Sequence, residues 1–140
     1  MEQGQVIDTF GEIIAALATF AGKVPAQSFM AMPQGIRPTL EAVESYEEIV
    51  YKFRDGAGHT YKSIPPLFVD SLEAFEAGRV YDAVPPLLLA LEHLVQMHKE
   101  EKVNFTAPER ERIREFQRRI KKILPDANKP EIDMPTPEIY

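Results

Sequence analysis

Apolar residues recur at three- and four-residue spacing in five separate stretches of this chain, and no stretch sustains an alternation of period two. A period near 3.6 gathers side chains on one stripe of an α-helix, whereas a strand needs period two. The pattern therefore predicts an all-α fold, with helices at about 2–21, 39–54, 64–77, 83–100 and 107–124. The expected inward stripes are Val6, Ile7, Phe10, Ile13, Ile14, Leu17, Phe20 and Ala21; then Leu40, Val43, Tyr46, Ile49, Val50 and Phe53. The third holds Ile64, Leu67, Phe68, Leu72 and Phe75, and the fourth Val84, Leu87, Leu88, Leu91, Leu94 and Val95, with His98 at its edge. The last holds Ile113, Phe116, Ile120, Ile123 and Leu124.

Breakers stand where the stripes end. Gly22 and Pro25 close the first, and Asp55-Gly56-Ala57-Gly58 closes the second. Thr106-Ala-Pro-Glu109 is the clearest start: Thr106 as N-cap, Pro108 in the first turn, and Glu109 placed to complete a capping box. The long connection 23–38 carries Pro25, Pro33, Pro38 and Gly35, so regular structure is not expected there. Its Phe29, Met30 and Met32 have two readings: a cover folded over one end of the core, or an adaptable binding loop built on soft methionines. Pro125, Pro130, Pro135 and Pro137 rule out continuous helix over 125–140 and predict an extended or disordered Pro-rich tail. Short connections favour a single domain over 1–124, a bundle of four to five antiparallel helices.

The middle of the chain is duplicated. Residues 58–69, Gly-His-Thr-Tyr-Lys-Ser-Ile-Pro-Pro-Leu-Phe-Val, align at an offset of 20 with 78–89, Gly-Arg-Val-Tyr-Asp-Ala-Val-Pro-Pro-Leu-Leu-Leu. Each copy reads as turn, tyrosine, helix start and helix, a helical-hairpin repeat. Proline suits the first helical turn, whose N–H groups have no acceptor within the helix. Ser63 and Asp82 are the expected N-caps. The second helix of the repeat has two plausible starts: at Ala83, or near Arg79 with a bend at Pro85–Pro86. Tyr61, Arg79, Tyr81 and Asp82 are left over once turns, caps and stripe are assigned, and are candidate binding residues between the paired helices.

The chain has no cysteine, which removes disulfides, thiolate metal sites and cysteine catalysis. It begins without a basic, apolar leader, and its longest unbroken apolar run, 83–91, is too short for a membrane span. These features predict a cytoplasmic protein without a membrane span. The net charge of −6 disfavours nucleic acid or acidic lipid as a partner of the whole surface.

His93 and His98 are five apart and do not share a helix face, and no histidine has Glu three residues before it, so metal ligation is not expected. Gly56-Ala-Gly58 lacks the Lys and Ser/Thr of a phosphate loop, and Ser28, Ser45 and Ser63 stand outside any Gly-x-Ser-x-Gly. Glu41, Glu44 and Glu48 share a face, which reads as a solvated acidic surface rather than a catalytic pair. The strongest anomaly is the last helix, with seven Lys/Arg against Glu109, Glu111 and Glu115. Glu115 and Arg119 are its favourably spaced pair, and the acidic face of the second helix offers a way to neutralise it within the molecule. Arg118, Arg119, Lys121 and Lys122 are the candidate contacts to an acidic partner.

No motif carries residues over from a known family. The general pattern is similar to the compact helical-hairpin bundles common among small bacterial adaptors and secretion or flagellar chaperones, a likeness of fold alone. The expectation is a non-enzymatic protein-interaction module, adaptor-like or chaperone-like, with a protein partner and no cofactor. Self-association is compatible with it. The alternatives are a regulatory domain that contacts nucleic acid or an acidic partner through 107–124, and a small-molecule-binding bundle.

Overall fold

The computed structural model describes residues 1–23 and 36–124. The expectations for Phe29, Met30 and Met32, and for the tail 125–140, lie outside the described residues. Within them the chain is all-helical and no strand is present. Five α-helices follow in order: α1 Gln3–Lys23, α2 Leu40–Gly56, α3 Pro65–Glu76, α4 Val84–Lys99 and α5 Ala107–Ile123. Each contacts the next, and α5 returns to contact α1.

One apolar core joins them. Val6, Ile7, Phe10, Ile13, Ile14 and Leu17 of α1 are fully buried. Phe10 meets Phe68 of α3 edge-on with ring centroids 5.0 Å apart, and Phe53 of α2 packs on the same ring at 5.0 Å. A turn or two away, Phe75 stacks on Tyr46 at 4.6 Å and receives the edge of Phe20 at 5.4 Å. Such pairs add about 0.5–1.5 kcal/mol each beyond the area they bury. Leu40 departs from its expected inward position and is 73% exposed. Tyr46 reaches Phe75, one residue before the end of α3, so Leu40 overhangs α3 by about 9 Å at 1.5 Å per residue.

Paired residues give the helix directions. Met1 faces Gly56, Tyr46 faces Phe75 and Phe53 faces Phe68, so α1/α2 and α2/α3 meet in opposite sequence order. The α1/α5 pair differs. Gln3 bonds to Asn104, Asp8 to Arg112, and Gly11 faces Phe116. Helices α1 and α5 therefore run in the same direction.

By length and composition alone α1 could cross a membrane, with a mean hydropathy of 1.2 over its most apolar window. In this structure its apolar stripe is spent on the protein core.

The duplicated segments share a backbone device and differ at the caps. Gly58 and Gly78 both take positive φ, +81° and +84°. Gly78 closes α3 in a Schellman arrangement, its N–H on the Phe75 carbonyl and that of Arg79 on Ala74. A short 3-10 turn then carries each tyrosine, His59–Tyr61 and Val80–Ala83, before α3 and α4 begin. Helix α4 thus starts at Val84. The 3-10 turns displace the expected caps: Ile64 and Ala83 hold the N-cap positions, without a side-chain bond, in place of Ser63 and Asp82. The capping box of α5 is fully formed: Thr106 Oγ1 accepts from the Glu109 N–H at 3.3 Å, and the Glu109 carboxylate accepts from the Thr106 N–H at 2.8 Å.

Candidate interaction surface

Helix α5 buries Ile113, Phe116 and Ile120 and turns its cations outward. Their partners differ from those the spacing suggests. Arg118 donates to Glu115 at 2.7 Å and to Glu111 at 3.1 Å, and Arg114 also reaches Glu111, at 2.9 Å. The expected Glu115–Arg119 pair is replaced by Glu115–Arg118, three residues apart. These bonds hold the Glu111 carboxyl below the usual range and raise the Arg118 guanidinium through Glu115 and then Glu111. The expected neutralisation by α2 is replaced by a contact to α1: Arg112 bonds Asp8 at 3.0 Å and lies 5.5 Å from the Phe116 ring. All of these pairs are solvent-exposed and contribute at most modestly to stability.

Arg119 and Lys122 are different. Neither forms an ion pair among the described residues, and both line a cleft of about 340 Å³ between the last turns of α1 and α5. Its other walls are Ala18, Ala21, Gly22 and Ile123. The small residues come from α1, and both cations come from α5, three residues apart. Of the four basic candidates, the structure brings Arg119 and Lys122 together here. It engages Arg118 with glutamates, and Lys121 has a partner of its own.

A second cleft, about 200 Å³, lies between α4 and α5 over Val95, His98, Phe105 and Ile113, with Lys99, Arg110 and Arg114 around it. Its wall is pinned: His98 Nδ1 accepts from the Phe105 N–H at 3.2 Å, and Arg110 donates to the Phe105 carbonyl at 2.6 Å. His98 stacks on the Phe105 ring, with centroids 6.0 Å apart. His93 bonds Ser63 at 3.0 Å, which explains Ser63 without a cap.

The repeat tyrosines are not equivalent. Tyr61 is 3% exposed; burial raises its phenol, and the nearby Glu109 charge raises it further. Tyr81 is half-buried, and burial raises its phenol too. Arg79 and Asp82 are exposed; the Asp82 N–H donates to the Arg79 carbonyl within the turn. The clefts above are lined by other residues.

Ser71 was missed in the sequence reading. It is fully buried, donates to the Ala83 carbonyl at 2.7 Å, and is bonded to the Tyr46 hydroxyl. Because the single serine proton goes to Ala83, Tyr46 is the donor to Ser71, and one relay ties α2, α3 and the start of α4. Burial drives the Tyr46 phenol well above its usual range. The signal was present in the sequence: Phe68, Ser71, Leu72 and Phe75 share one stripe, with a polar residue among apolar ones. Among the described residues no cluster of three His, Asp or Glu side chains is arranged to hold a metal.

Among the described residues, fold and surface together define an all-α arrangement of five helices with a cleft lined by apolar residues and two cations. No family model, curated protein or solved structure matches the chain.

Proposed function

We propose that this chain is a non-enzymatic protein-interaction module: a bundle of five helices that receives a protein client in the cleft between α1 and α5. The observation that carries the reading is the cleft itself, lined by Ala18, Ala21, Gly22 and Ile123 together with Arg119 and Lys122. An apolar lining suits the side chains of a peptide or helix, and unpaired cations favour a client segment that carries carboxylates. The buried polar relay Tyr46–Ser71–Ala83 is sealed from solvent and consumed by its own bonds, which supports a structural role for it rather than substrate chemistry. The cysteine-free composition suits a reducing compartment, and the proposed location is the cytoplasm.

The test is affinity capture from the native host with the full chain and with Arg119→Glu/Lys122→Glu. A folded variant, checked by circular dichroism, is expected to lose a protein that the native chain retains. Identical protein sets from the two chains would overturn the assignment of the cleft. Retention of DNA or RNA that weakens steeply with salt would replace the reading with nucleic-acid binding.

A further inference from the structure

Two side-chain triplets meet in the α4/α5 cleft: Val95, His98 and Lys99 from α4, and Arg110, Ile113 and Arg114 from α5. Each has the i, i+3, i+4 spacing that puts three side chains on one helix face. Phe105, from the connection between the helices, completes the lining. Both helices therefore contribute cations to it, and the rest of the lining is aliphatic or aromatic.

Arg110 is the unusual member. It is half-buried, and its donation to the Phe105 carbonyl at 2.6 Å uses one of the five N–H donors of the guanidinium and steadies the group. Among the described residues no carboxylate pairs with Arg110 or with Lys99. The nearby acids are engaged elsewhere: Glu100 with Gln96 and Lys102, Glu109 with the Thr106 N–H, and Glu111 with Arg114 and Arg118. Glu101 is exposed and pairs with neither cation. His98 accepts at Nδ1, so its neutral ring carries the hydrogen on Nε2, one more donor at the cleft. A half-buried arginine, steadied by a carbonyl and set against apolar surface, is a preorganised receptor for an oxyanion. Its planar fork matches a carboxylate.

Size limits the occupant. The cleft of about 200 Å³ is somewhat larger than a cavity of roughly 150 Å³ that takes up benzene, and smaller than the roughly 300–1,000 Å³ of pockets for drug-sized ligands. It has room for one ring or a short chain and none for a helix. We propose that the α4/α5 cleft is a binding site for a small amphipathic carboxylate, an aryl or short alkyl acid. Its apolar body lies on Val95, Phe105 and Ile113, and its carboxylate is held by Arg110 and Lys99. The site shares no residue with the α1/α5 cleft, so it stands whether or not that cleft receives a client.

The test is a titration of the isotope-labelled full chain followed by amide shifts, with three probes: phenylacetate, its neutral isostere phenylacetamide, and acetate. Phenylacetate is expected to saturate with a Kd on the order of a millimolar or below, moving Val95, His98, Phe105 and Ile113 most. Phenylacetamide should bind about tenfold more weakly, and acetate should not saturate. Arg110→Gln should weaken phenylacetate about tenfold, with Arg110→Lys in between. Arg110 also holds the Phe105 wall, so two further variants separate binding from folding. Lys99 has no ion-pair partner to lose, and Lys99→Gln should weaken the acid severalfold and leave the amide unchanged. Val95→Phe fills the cleft and should abolish binding of both. No saturable shift at tens of millimolar phenylacetate, an amide that binds as tightly as the acid, or shifts centred outside the cleft would overturn the proposal. So would a phenylacetate Kd that neither Lys99→Gln nor Val95→Phe changes.

Discussion

Alanine at Gly78 meets two obstacles, whereas alanine at Gly58 meets one. Both glycines have φ near +80°, but Gly58 pairs it with ψ 179°, an extended region essentially reserved for glycine where an L side chain costs about 1–3 kcal/mol, whereas Gly78 ends α3 at the left-handed position of the Schellman turn, where the cost is about 1–2 kcal/mol. Part of that is returned because alanine restricts the unfolded chain, by about 0.4–1 kcal/mol. Around Gly58 nothing else intervenes, since a Cβ there points into open space. Gly58→Ala should therefore cost about 1–2 kcal/mol, from backbone strain alone. At Gly78 the added Cβ would lie 2.9 Å from the Ile36 carbonyl carbon and 3.0 Å from both Ile36 O and Arg37 N. These are backbone atoms with no rotamer to change, and the same strand of chain donates the Ile36 N–H to the Gly78 carbonyl at 3.0 Å. Moving it adds an overpacking cost of about 1–3 kcal/mol and endangers a bond worth about 0.5–1.5 kcal/mol. Gly78→Ala should cost about 2–4 kcal/mol in all, which at roughly 4 °C per kcal/mol is a fall in Tm of about 8–16 °C. Urea and thermal denaturation of the two variants give the comparison, and amide exchange at Ile36 gives its cause: protection should drop in Gly78→Ala and persist in Gly58→Ala. An Ile36 amide unaffected by Gly78→Ala, or one that loses protection equally in Gly58→Ala, would refute the close approach.

Ser71→Ala should destabilise by about 1–3 kcal/mol, because it strands the buried Tyr46 hydroxyl, while Tyr46→Phe should cost about 0.5–1.5 kcal/mol; chemical denaturation of both and of the double variant should show a clearly non-additive pair. Burial raises the folded phenol of Tyr46 above its unfolded value, so its contribution is complete below about pH 10 and is lost as pH rises beyond that. Stability followed into alkali should decline more gently in Tyr46→Phe, though still decline, because Tyr61 and Tyr81 are raised as well. Glu101 holds the left-handed position that ends α4, at φ +61°, with the Lys102 N–H on the Met97 carbonyl. Glu101→Gly should raise stability by about 0.5–1 kcal/mol in the same denaturation assay, the relief of the left-handed strain less the entropy cost of glycine.

What the sequence made legible was what neighbouring residues decide among themselves. Thr106 and Glu109 hold both ends of a reciprocal pair of hydrogen bonds, so the start of α5 could be read from four residues. The α1 stripe from Val6 to Leu17 is buried as its spacing implied. Failures began where a second element had to be known. Leu40 continues the α2 stripe, but none of the described helices covers it. Ser63 and Asp82 look like caps until the 3-10 turns shift the helix starts past them. Arg118 and Arg119 are both within reach of Glu115, and the rotamers chosen in the folded helix favoured the nearer spacing. The cleft at Arg119 and Lys122 combines α1 with α5, about a hundred residues apart, and no local pattern announces it. Ser71 is a different kind of omission, since its polar intrusion on an apolar stripe was in view.

The parallel run of α1 and α5 explains much of the charge layout and also isolates the part it does not explain. Neighbours that run in opposite directions offset each other's dipoles, but two that agree place like ends together. At the entry end Glu109 stands in the first turn of α5, while the first turn of α1 has no carboxylate; at the exit end stand Lys23, Lys121 and Lys122. On this account a last-turn cation such as Lys122 has a structural share of about 0.3–1 kcal/mol, which falls off beyond the last turn. Arg119 lies beyond it. Lys122→Gln should therefore lower stability by a few tenths of a kcal/mol or more, while Arg119→Gln should leave it within measurement error. Both should weaken whatever the cleft binds, read as less capture of the client. If Arg119→Gln destabilises as much as Lys122→Gln and leaves binding intact, the cation belongs to the fold, and the case for the cleft as an interaction surface falls with it.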